Sequence, residues 1–280
     1  MSRCPPSADE LRHFAAVALR LARAAGDELQ RCRDAGRGRA ESKGRRRELV
    51  TEADRRAEHI VVGGLLQAFP AHAVLAEEGV LTTQGQASSA ADWTWIVDPL
   101  DGTTNYVHGL PFFATAIALA FRQRPLVGVV HAPVLGETFV GCRGLGARRV
   151  YADGREQPLA VSATTELADA LLATGFSYNR NEPGRDDNTG RLARVLPLCR
   201  DLRRLGSAEL DLCYVAAGVY DGYWEQYLAP YDVAAGAVLV QEAGGRVTDL
   251  DFGDDWLFGG HVLASNGHLH DALGAQVGNR

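Results

Sequence analysis

Apolar residues near the start of the chain recur every three or four positions, which is the spacing of one face of an α-helix. They are Leu11, Phe14, Ala15, Ala18, Ala22, Ala25 and Leu29. Ser7 and Glu10 stand three residues apart just before this face and form a capping-box pattern. The sequence therefore predicts that the first element is an amphipathic helix.

A second helix is predicted to begin at Thr51, which can cap it, and to end near Phe69. Its apolar face consists of Ala57, Val61, Leu65 and Ala68. Asp54 falls in the first turn, where an acid ordinarily compensates the helix dipole. Residues 34–48, between the two helices, are rich in Gly, Arg and Lys, so we expect a mobile loop there.

Short apolar runs follow and predict strands. Residues 74–76 form one short strand, and residues 95–98 form a buried strand that Pro99 is expected to stop. From residue 112 onward, apolar runs alternate with turns, which predicts an antiparallel meander. Its strands are expected at residues 114–121, 127–131 and 138–141, and the glycines of residues 141–146 are expected to form hairpin turns.

Beyond residue 160 the pattern changes to alternating strands and helices. Strands are expected at residues 170–174, 203–205 and 223–227. One helix should begin after Ser207, and a second should run from Pro230 until Gly244 stops it.

The composition limits the classes of function. A chain of 280 residues with 46% hydrophobic content can build a sizeable core, and a net charge of -6 argues against a general nucleic-acid binder. The longest apolar run is too short to span a bilayer, so no membrane role is expected. The 5 cysteines have no metal-ligand spacing, which indicates reduced thiols in a cytoplasmic protein. His268 and His270 lack a third ligand nearby in sequence and are expected at the surface.

The candidate chemistry lies where the strand at residues 95–98 ends. Asp98 and Asp101 are three residues apart around a proline, so a tight turn can bring both carboxylates to one point. Two like charges held that close require a cation. Gly102 and Thr103 then offer backbone N–H groups that could receive an anion. The pattern favours a metal and phosphate site, although a strand that ends in Asp-Pro is often only a turn.

Two longer motifs carry a family resemblance. Residues 98–105, Asp-Pro-Leu-Asp-Gly-Thr-Thr-Asn, resemble a signature of the inositol monophosphatase family, which comprises magnesium-dependent, lithium-sensitive phosphatases. Residues 225–245 resemble the second signature of the family, and Tyr231 there replaces the usual tryptophan with another aromatic residue. The segment that contains Lys43 and Asp54 resembles a third family pattern.

The resemblance implies a fold. The family has a layered αβαβα sandwich, with an α+β half that would cover residues 1–160 here and an α/β half that would cover residues 161–280. The two halves would pack as one compact unit. The resemblance also implies that two copies of the chain commonly form a homodimer.

The resemblance implies roles for individual residues. The metal ligands would be Glu77, Asp98, Asp101 and Asp232, with the Leu100 carbonyl as a neutral ligand, and they would hold two or three Mg²⁺ ions. Glu77 and Thr103 would position the attacking water, and Asp54 would stand at the edge of the site and help to hold a weaker metal. Gly102, Thr103, Ser207, Ala208 and Glu225 would contact the substrate, and Lys43 would lie on a basic flap over the site.

The implied reaction is hydrolysis of inositol monophosphate to inositol and phosphate by a metal-activated water. Histidinol phosphate, fructose 1,6-bisphosphate and 3'-phosphoadenosine 5'-phosphate remain alternative substrates, because the metal site would be unchanged. Thr104 and Asn105 argue against the nucleotide, since nucleotide-directed relatives typically have Lys-Glu there. A non-catalytic regulatory protein would be indicated by the loss of a metal carboxylate, and none is lost.

Overall fold

The computed structural model describes residues 6–36, 40–42, 49–79, 92–178 and 180–278. Within these ranges the α-helices are α1 (Ala8–Asp34), α2 (Glu52–Ala68), α3 (Thr103–Val107), α4 (Thr189–Val195), α5 (Ala208–Ala216), α6 (Ala234–Glu242) and α7 (His270–Val277). Short 3₁₀ turns lie at Leu167–Asp169 and Pro230–Asp232. No helix in the described residues is both long and apolar enough to cross a membrane.

Strands in the same ranges form three sheets. They are β1 (Ala40–Ser42), β2 (Leu49–Thr51), β3 (Ala73–Ala76), β4 (Trp93–Asp101), β5 (Ala114–Phe121), β6 (Arg124–Ala132), β7 (Glu137–Cys142), β8 (Gly146–Tyr151), β9 (Glu156–Pro158), β10 (Leu171–Thr174), β11 (Asp201–Arg203), β12 (Gly222–Gln226), β13 (Arg246–Thr248) and β14 (His261–Ser265). The first large sheet runs in order from β3 to β9, and only its β3–β4 pair is parallel. The second has the order β11-β10-β12-β14-β13, with parallel pairs on both sides of β10.

Helices and sheets alternate in five layers. Helices α1 and α2 pack on the outer face of the first large sheet, α5 and α6 lie between the two large sheets, and α7 with α4 covers the far face of the second. This order confirms the αβαβα sandwich. The division of the chain into two halves at residue 160 stays a prediction.

The first two helices are confirmed, and local capping explains where they begin. Ser7 and Glu10 form the reciprocal capping box of α1, and Thr51 with Asp54 forms a second capping box at the start of α2. The apolar faces of both helices are buried against the first large sheet, except for Ala68 at the end of α2, which is exposed. The meander of β5, β6 and β7 is confirmed as well.

Several sequence predictions were wrong. The strand expected at residues 203–205 lies at Asp201–Arg203, and the helix expected from Pro230 begins at Ala234, after a 3₁₀ turn. Residues 40–42 pair with residues 49–51 as an antiparallel ladder, so part of the expected loop is a strand. Strand β4 continues past Pro99, because a register shift between Asp98 and Asp101 accommodates the missing N–H group. His270 is fully buried between the hydroxyl groups of Thr248 and Ser265, which satisfy both of its ring nitrogens.

The four cysteines in the described residues, Cys32, Cys142, Cys199 and Cys213, are free thiols, as expected. Cys199 is half-exposed, and the other three are buried. Burial raises the pKa of Cys142 to about 11, so this thiol is protonated at neutral pH and unreactive.

Candidate metal and phosphate site

A cavity of about 300 Å³ lies between the two large sheets. Its lining includes nine residues that the sequence indicated, namely Glu77, Asp98, Leu100, Asp101, Gly102, Thr103, Ala208, Glu225 and Asp232. These residues come from the turn after β3, from β4, from the start of α3, from α5 and β12, and from the turn before α6. The fold therefore brings together groups that are more than 150 residues apart in sequence, as the difference 232 − 77 = 155 shows.

The bulge in β4 sets the direction of Asp98. The N–H group of Leu100 donates a hydrogen bond to Asp98 Oδ1 at 2.9 Å, which fixes the carboxylate and leaves Oδ2 for another partner. Pro99 cannot donate, and its carbonyl accepts the Thr115 hydroxyl at 2.9 Å. The turn thus presents the Asp98 side chain to the cavity while its own backbone groups are satisfied.

The start of α5 holds Asp101. The Ser207 hydroxyl donates to Asp101 Oδ2 at 2.5 Å, and the N–H groups of Ala208 and Glu209 donate at 3.2 and 2.9 Å. Helix N–H groups that lack a partner within the helix are natural donors to a carboxylate. Ser207 and Ala208, which were expected to contact substrate, therefore bind the Asp101 side chain in this structure.

Glu209 connects α5 to α6, a role that was not predicted from the sequence. Its carboxylate is buried and accepts the N–H groups of Ala235 at 3.1 Å and Gly236 at 2.5 Å. Those two residues lie in the first turn of α6, shortly after the turn that carries Asp232, whose Oδ2 accepts the Ala229 N–H group at 2.6 Å. Glu209 therefore joins the segment that holds Asp101 to the segment that carries Asp232.

Glu77 lies just after β3, which is parallel to β4. Its N–H group donates to the Val97 carbonyl at 3.3 Å, so the ladder places Glu77 beside Asp98. The next residue, Glu78, donates its N–H group to Glu58 of α2 at 2.7 Å. These backbone bonds fix the turn, and the half-buried Glu77 side chain reaches the cavity.

Thr103 begins α3 and lies between Asp54 and Leu100. Its hydroxyl is 3.2 Å from Asp54 Oδ1 and 3.1 Å from the Leu100 carbonyl oxygen, and either oxygen can accept its single proton. Asp54 is fully buried and also accepts the Thr51 N–H group at 2.8 Å. Asp54 therefore lies behind Thr103 and orients its hydroxyl. Lys43, the expected flap residue, lies outside the described residues.

Gly102 lies at a position where a side chain would not fit. Its φ of +89° lies in the left-handed region, and a β-carbon would meet the Phe112 carbonyl oxygen at 2.8 Å. Glycine therefore allows the chain to turn sharply from β4 into α3.

Burial and mutual repulsion raise the pKa values of the acids that line the cavity. Burial raises the pKa of Asp98 well above its usual range, and the charges of Glu77 and Asp101 raise it further. Burial and the Glu77 charge likewise raise the pKa of Asp232. Burial raises the pKa of Asp101 to about 6, although Ser207 and the α5 N–H groups oppose the shift. These carboxylates would be far more stable as anions beside a cation.

The donor set fits a hard cation. Four carboxylates and one carbonyl offer only oxygen, which is the ligand type that Mg²⁺ prefers. Within the described ranges, no group of three or more His, Cys, Asp or Glu side chains is already drawn together closely enough to hold an ion.

Glu225 forms the opposite wall of the cavity, at the end of β12. The Tyr223 hydroxyl donates to Glu225 Oε2 at 2.6 Å, and burial raises the pKa of Glu225 to about 7. The carboxylate lies against Gly175, where a β-carbon would fall about 2 Å from its atoms. Tyr223 and Gly175 thus fix Glu225 so that it can accept a hydrogen bond from a ligand hydroxyl.

The chain is similar to known proteins of the inositol monophosphatase family. The model of the inositol monophosphatase family matches residues 10–280. The chain is 42% identical to Nus factor SuhB of Pseudomonas aeruginosa, with 92% of this chain and 93% of that protein covered. It is 42% identical to inositol monophosphatase 2 of Solanum lycopersicum, with 81% and 84% covered. The inositol monophosphatase structure from Anabaena has a TM-score of 0.82 at 39% identity, with 95% and 96% covered.

Proposed function

Because the chain belongs to the inositol monophosphatase family, we propose that it is a metal-dependent phosphomonoesterase that hydrolyses inositol monophosphate to inositol and phosphate. The observation that carries this proposal is the grouping of Glu77, Asp98, Asp101 and Asp232 around one cavity. Purely structural acids would not be gathered at such electrostatic cost.

The acids and the Leu100 carbonyl would hold two or three Mg²⁺ ions. Four carboxylates contribute a charge of about -4, and two or three ions contribute about +4 to +6, so an acidic cavity can accept a phosphate dianion. Bound Mg²⁺ would neutralise charge on the phosphate and activate the attacking water. Side chains and backbone groups of this chain would orient the water and bind the phosphate and the alcohol.

Glu77 and Thr103 would orient the water. The Thr103 hydroxyl is already directed by Asp54 and Leu100, which limits its rotation. The N–H groups of Gly102 and Thr103 would hold the phosphate, and Glu225 would accept hydrogen bonds from the hydroxyl groups of the alcohol. The phosphoryl group would be transferred directly to water, without a covalent phosphoenzyme.

A phosphate-release assay tests the proposal. Purified protein should hydrolyse inositol 1-phosphate in Mg²⁺ and lose that activity in excess chelator. Histidinol phosphate, fructose 1,6-bisphosphate and 3'-phosphoadenosine 5'-phosphate should be slower. Lithium in the millimolar range should inhibit. Equal turnover in chelator would disprove the metal mechanism, and faster turnover of another ester would reassign the substrate.

A second candidate is a Nus-factor role, because a relative of that name is 42% identical over nearly the full length. The complete set of carboxylates favours the enzyme, and the two roles are compatible. An inactive wild-type protein, with Mg²⁺ present and a folded structure, would favour the second candidate. We also propose a cytoplasmic homodimer, which light scattering of the purified protein would test.

A further inference from the structure

Tyr227 has an unusual backbone conformation at the wall of the cavity. It directly follows β12 and has a φ of +61°, in the left-handed region that a residue with a β-carbon rarely adopts. Tyr227 lies two residues after Glu225 and five before Asp232, and it lines the same cavity as both. A strained residue at such a position points to a functional constraint.

The ring of Tyr227 is held from three directions. The Arg185 guanidinium lies 4.6 Å from its centroid, and the His261 ring packs edge-on at 5.2 Å. The Asp186 N–H group donates to the Tyr227 hydroxyl at 3.1 Å. Asp186 in turn pairs with Arg191, a buried residue that also donates to Gln226. These contacts hold the ring in one position. The backbone conformation of residue 227, by contrast, is one that favours glycine.

Other left-handed residues with side chains have local explanations. Within the described ranges they are Arg122, Gln123, Asn188 and Phe252. The first two form the β5–β6 hairpin turn, where this conformation is usual, and asparagine tolerates it. Phe252 lies in a tight turn in which Asp249 accepts the N–H groups of Asp251 and Gly253, and it is not among the residues that line the cavity.

We propose that Tyr227 determines specificity by limiting the size of the leaving alcohol, an inference that rests on the proposed phosphatase function. A cavity of about 300 Å³ has to hold ions, phosphate and alcohol together. Tyr178, whose hydroxyl lies 3.2 Å from Thr104 Oγ1, lines the same cavity from the segment after β10. With Tyr227 fixed on the Glu225 side, a small polyol fits and a nucleoside is excluded.

The variant Tyr227→Gly tests the proposal without threatening the fold. Glycine adopts a positive φ without strain, so the backbone should stay in place while the ring is removed. We expect kcat/KM for adenosine 5'-monophosphate, divided by kcat/KM for inositol 1-phosphate, to rise at least tenfold. Tyr227→Phe, which keeps the ring and loses only the hydroxyl, should leave this ratio within about twofold of the wild type.

Phe252→Gly is the matched control. It removes another aromatic ring from the same backbone conformation, but at a distance from the cavity, and the ratio should not change. An unchanged ratio in Tyr227→Gly, or an equal loss on both esters, would overturn the proposal. A ratio that rises in Phe252→Gly as much as in Tyr227→Gly would overturn it too.

Calorimetric binding of the two esters in Mg²⁺ separates this inference from the proposed function. If the wild type binds esters but hydrolyses none, the proposed function fails. The Tyr227→Gly variant should still bind the nucleotide at least tenfold more tightly relative to inositol 1-phosphate. If the relative affinities do not move, the inference fails, whatever the wild-type activity is.

Discussion

The Ser207 hydroxyl donates a hydrogen bond to Asp101 Oδ2 at 2.5 Å, although 106 residues separate them. Ser207 was expected to cap α5, and it occupies the N-cap position, but its side chain makes no capping bond. The helix gives its first N–H groups to Asp101 as well. The beginning of α5 is therefore built around a carboxylate of the first large sheet.

Ser207→Ala should lower both stability and activity. Losing a hydrogen bond to a charged group costs about 1.5–3 kcal/mol, and a misplaced Asp101 should reduce kcat/KM by roughly ten- to a hundredfold. Urea unfolding and phosphate release measure the two effects. The control is Ser162→Ala, because Ser162 donates to Asp221 at the same 2.5 Å but outside the cavity. Loss of activity in both variants would show that stability alone is responsible.

Glu209→Gln should raise the Mg²⁺ concentration that gives half-maximal activity by several-fold. The glutamine amide can accept only one of the two N–H groups, so the contact between α5 and α6 loosens at a cost of about 1–3 kcal/mol. Glu242→Gln is the control, since Glu242 also accepts two backbone N–H groups, from Gly144 and Gly146, away from the cavity. The prediction is wrong if the two variants need the same Mg²⁺ concentration.

Asp98→Asn should abolish most turnover while the protein stays folded. The amide keeps an oxygen for the Leu100 N–H group, but it removes a negative charge from the centre of the acids. Because burial and neighbouring acids already destabilise the Asp98 anion, the melting temperature without Mg²⁺ should not fall. A phosphate-release assay measures the rate, and thermal unfolding measures the melting temperature. A near-normal rate of hydrolysis would show that Asp98 is not required for the reaction.

Glu225→Ala should weaken hydrolysis of inositol 1-phosphate by roughly ten- to a hundredfold and spare p-nitrophenyl phosphate. A polyol can donate hydrogen bonds to the carboxylate, and an aromatic leaving group cannot. Tyr223→Phe removes the donor that orients Glu225 and should have a smaller effect of the same kind. Equal losses on both substrates would show that Glu225 supports the structure of the site instead.

His270 should make stability depend on pH. Burial lowers its pKa to about 4, below the value of about 6.5 in an unfolded chain. The folded state therefore binds fewer protons between pH 6.5 and 4, so the free energy of unfolding should fall as pH falls through this window. Across this window the free energy of unfolding should fall by roughly 3 kcal/mol at most. Because the pKa of His131 is also lowered to about 4, the contribution is measured as the difference between wild type and His270→Gln.

The sequence predicted elements whose cause is local. The capping box of α1, the Thr51 cap of α2, the apolar run of β4 and the meander each depend on residues close in sequence. The path of β4 past Pro99 was missed, because it depends on pairing with Ala114 and on the hydrogen bond from Thr115.

Residues that act across layers were missed for the same reason. Nothing around Glu209 marks it as different from a surface acid in the first turn of a helix, and only the packing of α6 gives it two donors. The positive φ of Tyr227 could not be predicted either, because the residues that hold its side chain, Arg185, Asp186 and His261, come from other parts of the chain. By contrast, the two signatures made seven of the nine predicted cavity residues recognisable from the sequence, and Glu77 and Ala208 followed from the family resemblance outside the signatures.

The long separation between Asp101 and its partners has a consequence for how the protein is made. On a ribosome, the first large sheet can emerge and pair before Ser207 and Asp232 exist, so a nascent chain has acids but no assembled site. Closing loops of this length is entropically unfavourable and slow. Recovery of activity during refolding should therefore coincide with the last phase, when the second large sheet docks, which makes catalysis a reporter of complete assembly.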